Sequence, residues 1–453
     1  MTGRAQPHVV MLAGNDIEVD ARVRKYLRSA VEAGLEVTVV GLSRSAQREE
    51  LDIEGARAIR VPVPGSSPSR VSRKVRAIRR RLPARTAAHK RTVADYLAQP
   101  AQARWRQVLP ELQAYEAAVG PLLDELDADL LHPHDIFMLG VAVRAAARSQ
   151  SRGHRAFVVY DSHEYLPGLA GPPARTTAAY VDHEREYLPR ADRVITVSEP
   201  IADELARSYG LDRRPSLVLN APIVAPVVAG QPSARAAADL PDDVPIVLYG
   251  GGLARARGVH TVVEALALLP EVHLVVVSRA PSHYTRELQA LAAELGCADR
   301  YHEVGFVEPD QVVAYFASAT VGIVPLLHSG NHDWALTNKF LEYIQAGLPI
   351  VTSDTEVQER LVDELGIGRV FVAGDAADCA NAVRAVLADL DRYRAPLRDP
   401  ELLRRMSWPV QADVFLGLYR ELLGALPSDG ASETVGDGTL DAPHPPSRPG
   451  SPQ

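Results

Sequence analysis

Residues 337–351 read TNKFLEYIQAGLPIV. An amphipathic run begins on polar residues, stops at Gly347, and gives way to an apolar stretch that opens on Pro349. Glycine just past a helix, with proline soon after, is a common C-terminal stop. The segment therefore predicts a helix over 337–346 leading into a buried strand from 349. Asn338 and Lys339 fall in its first turn, and Glu342, three positions on, shares the face of Lys339. The start of a helix attracts anions, and a carboxylate one turn deeper accepts hydrogen bonds from a diol. A solvated Lys–Glu pair on an ordinary surface helix fits the same spacing.

Outward from this segment the pattern repeats. Short apolar runs alternate with helix-length amphipathic stretches, as in βα units that build a parallel sheet. Candidate strands fall at 8–13, 36–41, 58–63, 129–132, 156–161, 193–197 and 216–219, then at 245–250, 272–278, 301–304, 320–325, 349–352 and 369–372. Helices are expected at 20–33, 200–209, 259–269, 284–295, 310–317 and 376–389. Residues 221–244, rich in Pro, Ala and Asp, read as a linker. The division is a first α/β domain at 1–220 with a basic helical insertion at about 65–115, the linker, and a second at 245–426. A tail at 427–453, dominated by Pro, Gly, Ser and Asp, should be disordered. Doubly wound sheets bind ligands beyond the carboxyl ends of their strands, so two facing sheets place a ligand in the cleft between them.

Bulk properties narrow the class. The 453 residues carry a net charge of −8, which argues against a general nucleic-acid role. Residues 70–91 hold ten Lys/Arg and no acid. There Val71, Val75, Ile78 and Leu82 follow helical spacing, so the stretch is either a basic amphipathic helix on an anionic membrane surface or a solvated insertion. No aromatic residue interleaves its charges, as single-strand binding would require. No apolar run approaches the roughly 20 residues that cross a bilayer, and 9–13 is too short for a signal peptide. The expectation is a cytoplasmic protein, with peripheral contact at the inner face of the membrane if 70–91 binds there. Cys297 and Cys379 cannot form a disulfide framework or a Cys-based zinc site.

Three further stretches carry chemistry. LYGGGLARARGVHTVVEAL (248–266) ends a strand in glycines and starts a helix near Val259. Gly251 and Gly252 let the backbone approach a diphosphate, and Arg255 and Arg257 can neutralise it. YDSHEYLP (160–167) and LLHPHD (130–135) place Asp161, His163, Glu164, His132, His134 and Asp135 at strand ends. Histidines and carboxylates so close leave a metal site open as an alternative, as does a structural role for these loops. Gly14, Asn15 and Asp16 form a third strand-end loop before a helix bearing Asp20, Arg22 and Arg24. Ser198 is expected to cap a helix. Asp127/Asp129 and Asp389/Asp391 mimic a metal-binding Asp-x-Asp but read as solvated helix ends.

Together these stretches resemble the retaining, metal-independent glycosyltransferases of family four, the GT-B type with two facing Rossmann-like domains (glycosyl transferases group 1), from about residue 8 to 425. The resemblance implies transfer of a sugar from a nucleoside-diphosphate sugar to a glycan, lipid-linked sugar or small molecule, as in polysaccharide biosynthesis, with no cofactor or metal. Glu342 would hold the nucleotide ribose, followed by Ala346, Gly347 and Pro349 of the motif. His163 would contact the donor sugar, making His163 and Glu342 the catalytic choices. Gly251, Gly252, Arg255, Arg257 and Lys339 would take the diphosphate, Arg257–Gly258 replacing the family's Lys–Gly. Gly14, Asn15, His134 and Asp135 would face the acceptor. A C-terminal helix at 402–423 would cross back to the first domain. Two positions depart from the pattern. The first of two glutamates spaced as in the family falls on Trp334, leaving the sugar loop to Asp333, Trp334 and Asn338, or to backbone amides of 328–334. The family's earlier arginine falls on Gly252. A nucleotide-sugar epimerase and a non-catalytic sugar-nucleotide binder remain the alternatives.

Overall fold

The computed structural model describes residues 6–18, 20–43, 45–63, 105–224, 230–279 and 282–427. The basic stretch 70–91 and the tail from 428 lie outside the described residues, and with them the expectations of membrane contact and disorder.

The first sheet has eight strands: β1 (His8–Ala13), β2 (Glu36–Ser43), β3 (Glu49–Ile53), β4 (Ala56–Pro62), β5 (Leu130–His134), β6 (Phe157–Ser162), β7 (Arg193–Thr196) and β8 (Ser216–Leu217). Their order is β3-β4-β2-β1-β5-β6-β7-β8. The second has six, β9 (Ile246–Gly250), β10 (His273–Val277), β11 (Tyr301–Val304), β12 (Val321–Val324), β13 (Ile350–Ser353) and β14 (Gly368–Phe371), ordered β11-β10-β9-β12-β13-β14. All pairings are parallel except β3 with β4. β1 and β9 are buried along their whole length, because helices cover both faces of each sheet. Each domain thus has two apolar cores, one on either side of its sheet. Strand order reverses beside β1 and beside β9, and the crevices at those points face each other.

β3 escaped the sequence reading. Its residues, EELDI, alternate between exposed and partly buried, the habit of a charged edge strand. Glu54 and Gly55 both have positive φ, 54° and 78°, which makes the tight turn to β4. The stretch expected as linker holds a one-turn helix, Ala234–Ala237, with Ala234 buried in the second core.

The last helix, Trp408–Leu423, packs on the first sheet. Trp408, Phe415 and Tyr419 join the core around Tyr26, and Trp408 Nε1 donates to Ser29 Oγ at 2.9 Å. The chain expected to cross back at 402–423 does so from Trp408, while Leu402 and Met406 stay in the second domain's core. At the other side of the cleft the domains touch directly. Tyr165 N donates to Asn331 Oδ1 at 2.7 Å, and the Tyr165 and Trp334 rings lie 4.5 Å apart.

Candidate functional site

Parallel pairing sets His134 beside Asp161 in register at the ends of β5 and β6. Asp161 is fully buried and accepts from Arg22 through both oxygens, at 2.8 and 2.7 Å. His134 Nδ1 and His163 Nε2 each lie 3.1 Å from Asp161 Oδ2. Burial opposes the charge on Asp161, but Arg22 and the histidines hold its carboxyl well below the usual carboxylate range. For His163, burial pulls the imidazole down and Asp161 more than offsets it, so the net shift is upward. His132 stacks on His134 at 4.2 Å and bonds Tyr419 OH at 2.6 Å. His132, His134 and Asp161 offer ligand atoms within 4.8 Å of one another. They fit a divalent ion poorly, because both Asp161 oxygens are bonded to a guanidinium that would repel it.

Two strained loops flank this cluster. Ile17, a β-branched residue, sits at φ 68° and is buried, a conformation such side chains rarely adopt. Asn15 maintains that loop, its Oδ1 accepting from Ile17 N and its Nδ2 donating to Asp20, both at 2.7 Å. A Cβ on Gly14 would lie 2.7 Å from Cβ of Phe137, so only glycine lets the loop pass. Asp135 sits at φ 71° and accepts from Ile136 N at 2.6 Å. Strain of this kind gathers at functional sites.

In the second domain the helix Asn338–Gln345 starts at the strand ends. Tyr343, which the sequence reading passed over, pins it there: its OH accepts from Gly250 N and donates to Leu248 O, both at 3.0 Å. Gly347, at φ 69°, ends it. Lys339 is buried against Gly251, with Nζ 4.8 Å over the Tyr249 ring. Burial, then Arg257, lowers its ammonium to about 7, against the pull of Glu342. Burial likewise raises the Glu342 carboxyl, opposed by Lys339 and Lys25. Neither Arg257 nor Glu342 has a side-chain hydrogen bond among the described residues, and the field of Arg257 reaches Glu164 across the cleft. Arg255 differs from expectation. It is exposed and pairs with Glu287 at 3.4 Å, because it lies on the outer side of the turn Arg255–Arg257.

The remaining assignments are scattered. Asp333 bonds His328 at 2.7 Å, and Trp334 Nε1 donates to Glu356 at 3.2 Å while its ring meets Tyr165. Both side chains are thus engaged by protein. Asn338 lines an interdomain cavity of about 230 Å³ together with Glu342, Gln311, Lys25 and Asn220. Lys25 is a second residue the sequence reading missed. Its Nζ bonds Asn220 Oδ1 at 2.7 Å and Ala221 O, and burial, then Arg22, lowers it to about 7. His332 is a third, with Nδ1 2.8 Å from Leu327 O and the ring within the field of Arg257 and Lys339. Ser198 occupies the N-cap position, yet its hydroxyl makes no capping bond.

Comparison with known proteins places both halves. A glycosyl transferase 4-like domain model matches residues 19–221, and a glycosyl transferases group 1 model matches 244–389. The lipopolysaccharide core biosynthesis glycosyltransferase LpsE of Rhizobium meliloti is 28% identical over 286 residues, 63% of this chain and 80% of that protein. A D-inositol 3-phosphate glycosyltransferase of Xylanimonas cellulosilytica is 31% identical over 254 residues, 52% of this chain and only 59% of that relative's length. Sucrose-phosphate synthase from Thermosynechococcus elongatus superposes with TM-score 0.71 at 20% identity, covering 93% of this chain and 100% of that one. Anabaena HepE, solved with UDP and glucose, gives 0.65 at 14% identity, covering 92% and 100%. At such identities the structural likeness shows the fold.

Proposed function

The chain belongs to the GT-B glycosyltransferases of family 4 type, and from that premise we propose that it moves a glycosyl group from a nucleoside-diphosphate sugar to a hydroxyl acceptor with retention at the anomeric carbon. The observation that carries this reading is the convergence of Arg257, Lys339 and Glu342 near the end of β9, with Arg257 facing Glu164, the sequence neighbour of His163. Two uncommitted charges and a helix start suit a diphosphate, and a buried carboxylate one turn deeper suits a ribose diol. A bound diphosphate would restore full charge to Lys339. As the bond from the anomeric carbon to the β-phosphate oxygen breaks, its electron pair stays on that oxygen, where Arg257 and the helix start stabilise it. The acceptor hydroxyl attacks from the same face and passes its proton to that phosphate oxygen. His163 holds the sugar. Arg257 and Lys339 supply the positive charge that other transferases draw from a divalent ion, so the reading assigns no metal.

Sugar nucleotides as donors are supported by the UDP-glucose complex of HepE, and a glycan or polyol acceptor by the names of the curated relatives. No helix among the described residues is long and apolar enough to cross a membrane. Calorimetry with UDP, GDP, ADP and dTDP in the presence of a chelator tests the site. One diphosphate should bind, and Arg257→Ala and Glu342→Ala should each weaken it by about 10-fold or more, the worth of one lost charged contact. Binding that survives both changes would put the donor site elsewhere.

A further inference from the structure

Asp161, the carboxylate bonded to His163, has 0% side-chain exposure and lies two residues earlier on β6. Its Oδ2 accepts from His163 Nε2, His134 Nδ1 and Arg22 Nε, and its Oδ1 accepts from Arg22 Nη2. Four hydrogen bonds from three side chains therefore fix one carboxylate. Arg22 is fixed in turn, with Nη1 3.1 Å from Val218 O and Nη2 3.2 Å from Tyr26 OH. A buried ion pair is strong only when its remaining donors are satisfied, and here Val218 O and Tyr26 OH satisfy them.

An ionised carboxylate can only accept, so the bond to Asp161 requires the His163 proton on Nε2. Nδ1 of His163 has no hydrogen-bond partner among the described residues, which leaves it as the ring nitrogen that can meet a ligand. The charged groups around His163 are Asp161 and Asp135, which favour its protonated form, and Arg22, which opposes it, while burial lowers the neighbouring imidazoles of His132 and His134. Glu164 is next in sequence, and Arg257 faces it from the second domain.

We propose that Asp161 is the positioning residue of the transfer reaction, fixing the tautomer and ring orientation of His163 through Nε2 so that Nδ1 meets the donor sugar, with Arg22 as the clamp on the carboxylate. This rests on the sugar-binding role of His163 given above. Asp161 touches no substrate and exchanges no proton. Its effect is on geometry, where a misplacement of about 1 Å costs up to about 100-fold in rate.

The test uses the full chain labelled with ¹⁵N-histidine, His163→Gln assigning the His163 signal. Asp161→Asn strands the buried Arg22 charge, so the double variant Arg22→Met/Asp161→Asn is measured beside it, folding being checked by circular dichroism. In the wild type, His163 should be Nε2-protonated and titrate above the ordinary imidazole range. In the variants the midpoint should fall as the carboxylate charge is lost, and the Nε2 preference should weaken because the amide offers a donor as well as an acceptor. With UDP-glucose as the probe, kcat for nucleotide release should drop about 10- to 100-fold while KM stays within about threefold. An unchanged His163 tautomer and midpoint in the folded double variant overturns the proposal, as does an altered titration with kcat intact. The spectra are read without substrate, so they decide the positioning claim even if UDP-glucose is not turned over. Absence of turnover with every sugar nucleotide would instead count against the transferase reading.

Discussion

Lys339 shows what the cleft does to a single charge. Only 5% of the residue is exposed, and its ammonium falls from the ordinary 10.5 to about 7, through burial and then Arg257. Between those values the folded protein binds fewer protons than the unfolded chain. Stability therefore rises with pH across that window, and the destabilisation is fully present below about 7. Lys25, also lowered to about 7, acts in the same direction. Lys339→Met is expected to flatten the rise in Tm between pH 7 and 9 without abolishing it, as followed by scanning calorimetry. An identical pH slope in the variant would show that Lys339 is solvated. The placement of Lys339 and Glu342 on one helix face could be read from local spacing, whereas the roles expected of Arg257 and His163 came from the family resemblance. The contacts of Lys25, Tyr343 and Asn331 could be read from neither. Asn331 meets its partner Tyr165 across 166 positions, and only the fold brings them together.

Among the elements, the turn Leu166–Gly168 and the short helix Gly330–Trp334 form a clasp between the domains. Gly168 and Gly330 meet so closely that a Cβ on Gly168 would overlap the backbone of Gly330 and Asn331. Beside them Trp334 lies against Tyr165, a contact type worth about 0.5–1.5 kcal/mol. Trp334, which stands where the family pattern has its first glutamate, thus adds its ring to the contact between the domains. Gly168→Ala should hold the domains apart, enlarging the radius of gyration in small-angle scattering and raising the donor KM several-fold. If scattering and KM are both unchanged, the clasp does not govern closure. At this scale the parallel strands were legible, since most are short, buried apolar runs. The edge strand β3 was not, because half its side chains meet water and its composition is that of a loop. The exposure of Arg255 was hidden for a similar reason: two arginines in one turn look alike in sequence, and only the direction of the turn separates them.

Across the whole molecule, the chain crosses between domains twice, once through Asn220 and Ala221 and again before Trp408. Lys25 binds at this double crossing, with Nζ bonded to Asn220 and Ala221 and 4.7 Å over the Trp408 ring. The double crossing lies on one side of the cleft and the clasp on the other, with Lys339 and Glu342 between them. The returning helix is part of the first core, so Phe415→Ala, with 0% exposure at present, should cost about 3–5 kcal/mol in the unfolding of that domain. A loss below about 1 kcal/mol in chemical denaturation would mean that the helix is merely docked.

The reaction proposed for this cleft is cleavage of a sugar nucleotide with retention. It is tested most directly by proton NMR of the sugar released from α-linked nucleotide sugars, UDP-glucose first, with water as the slow acceptor. The α anomer should appear before mutarotation, together with the nucleoside diphosphate, and both should be lost in Arg257→Ala. Early release of the β anomer would contradict retention, and binding without any release would leave a sugar-nucleotide binder in place of a transferase.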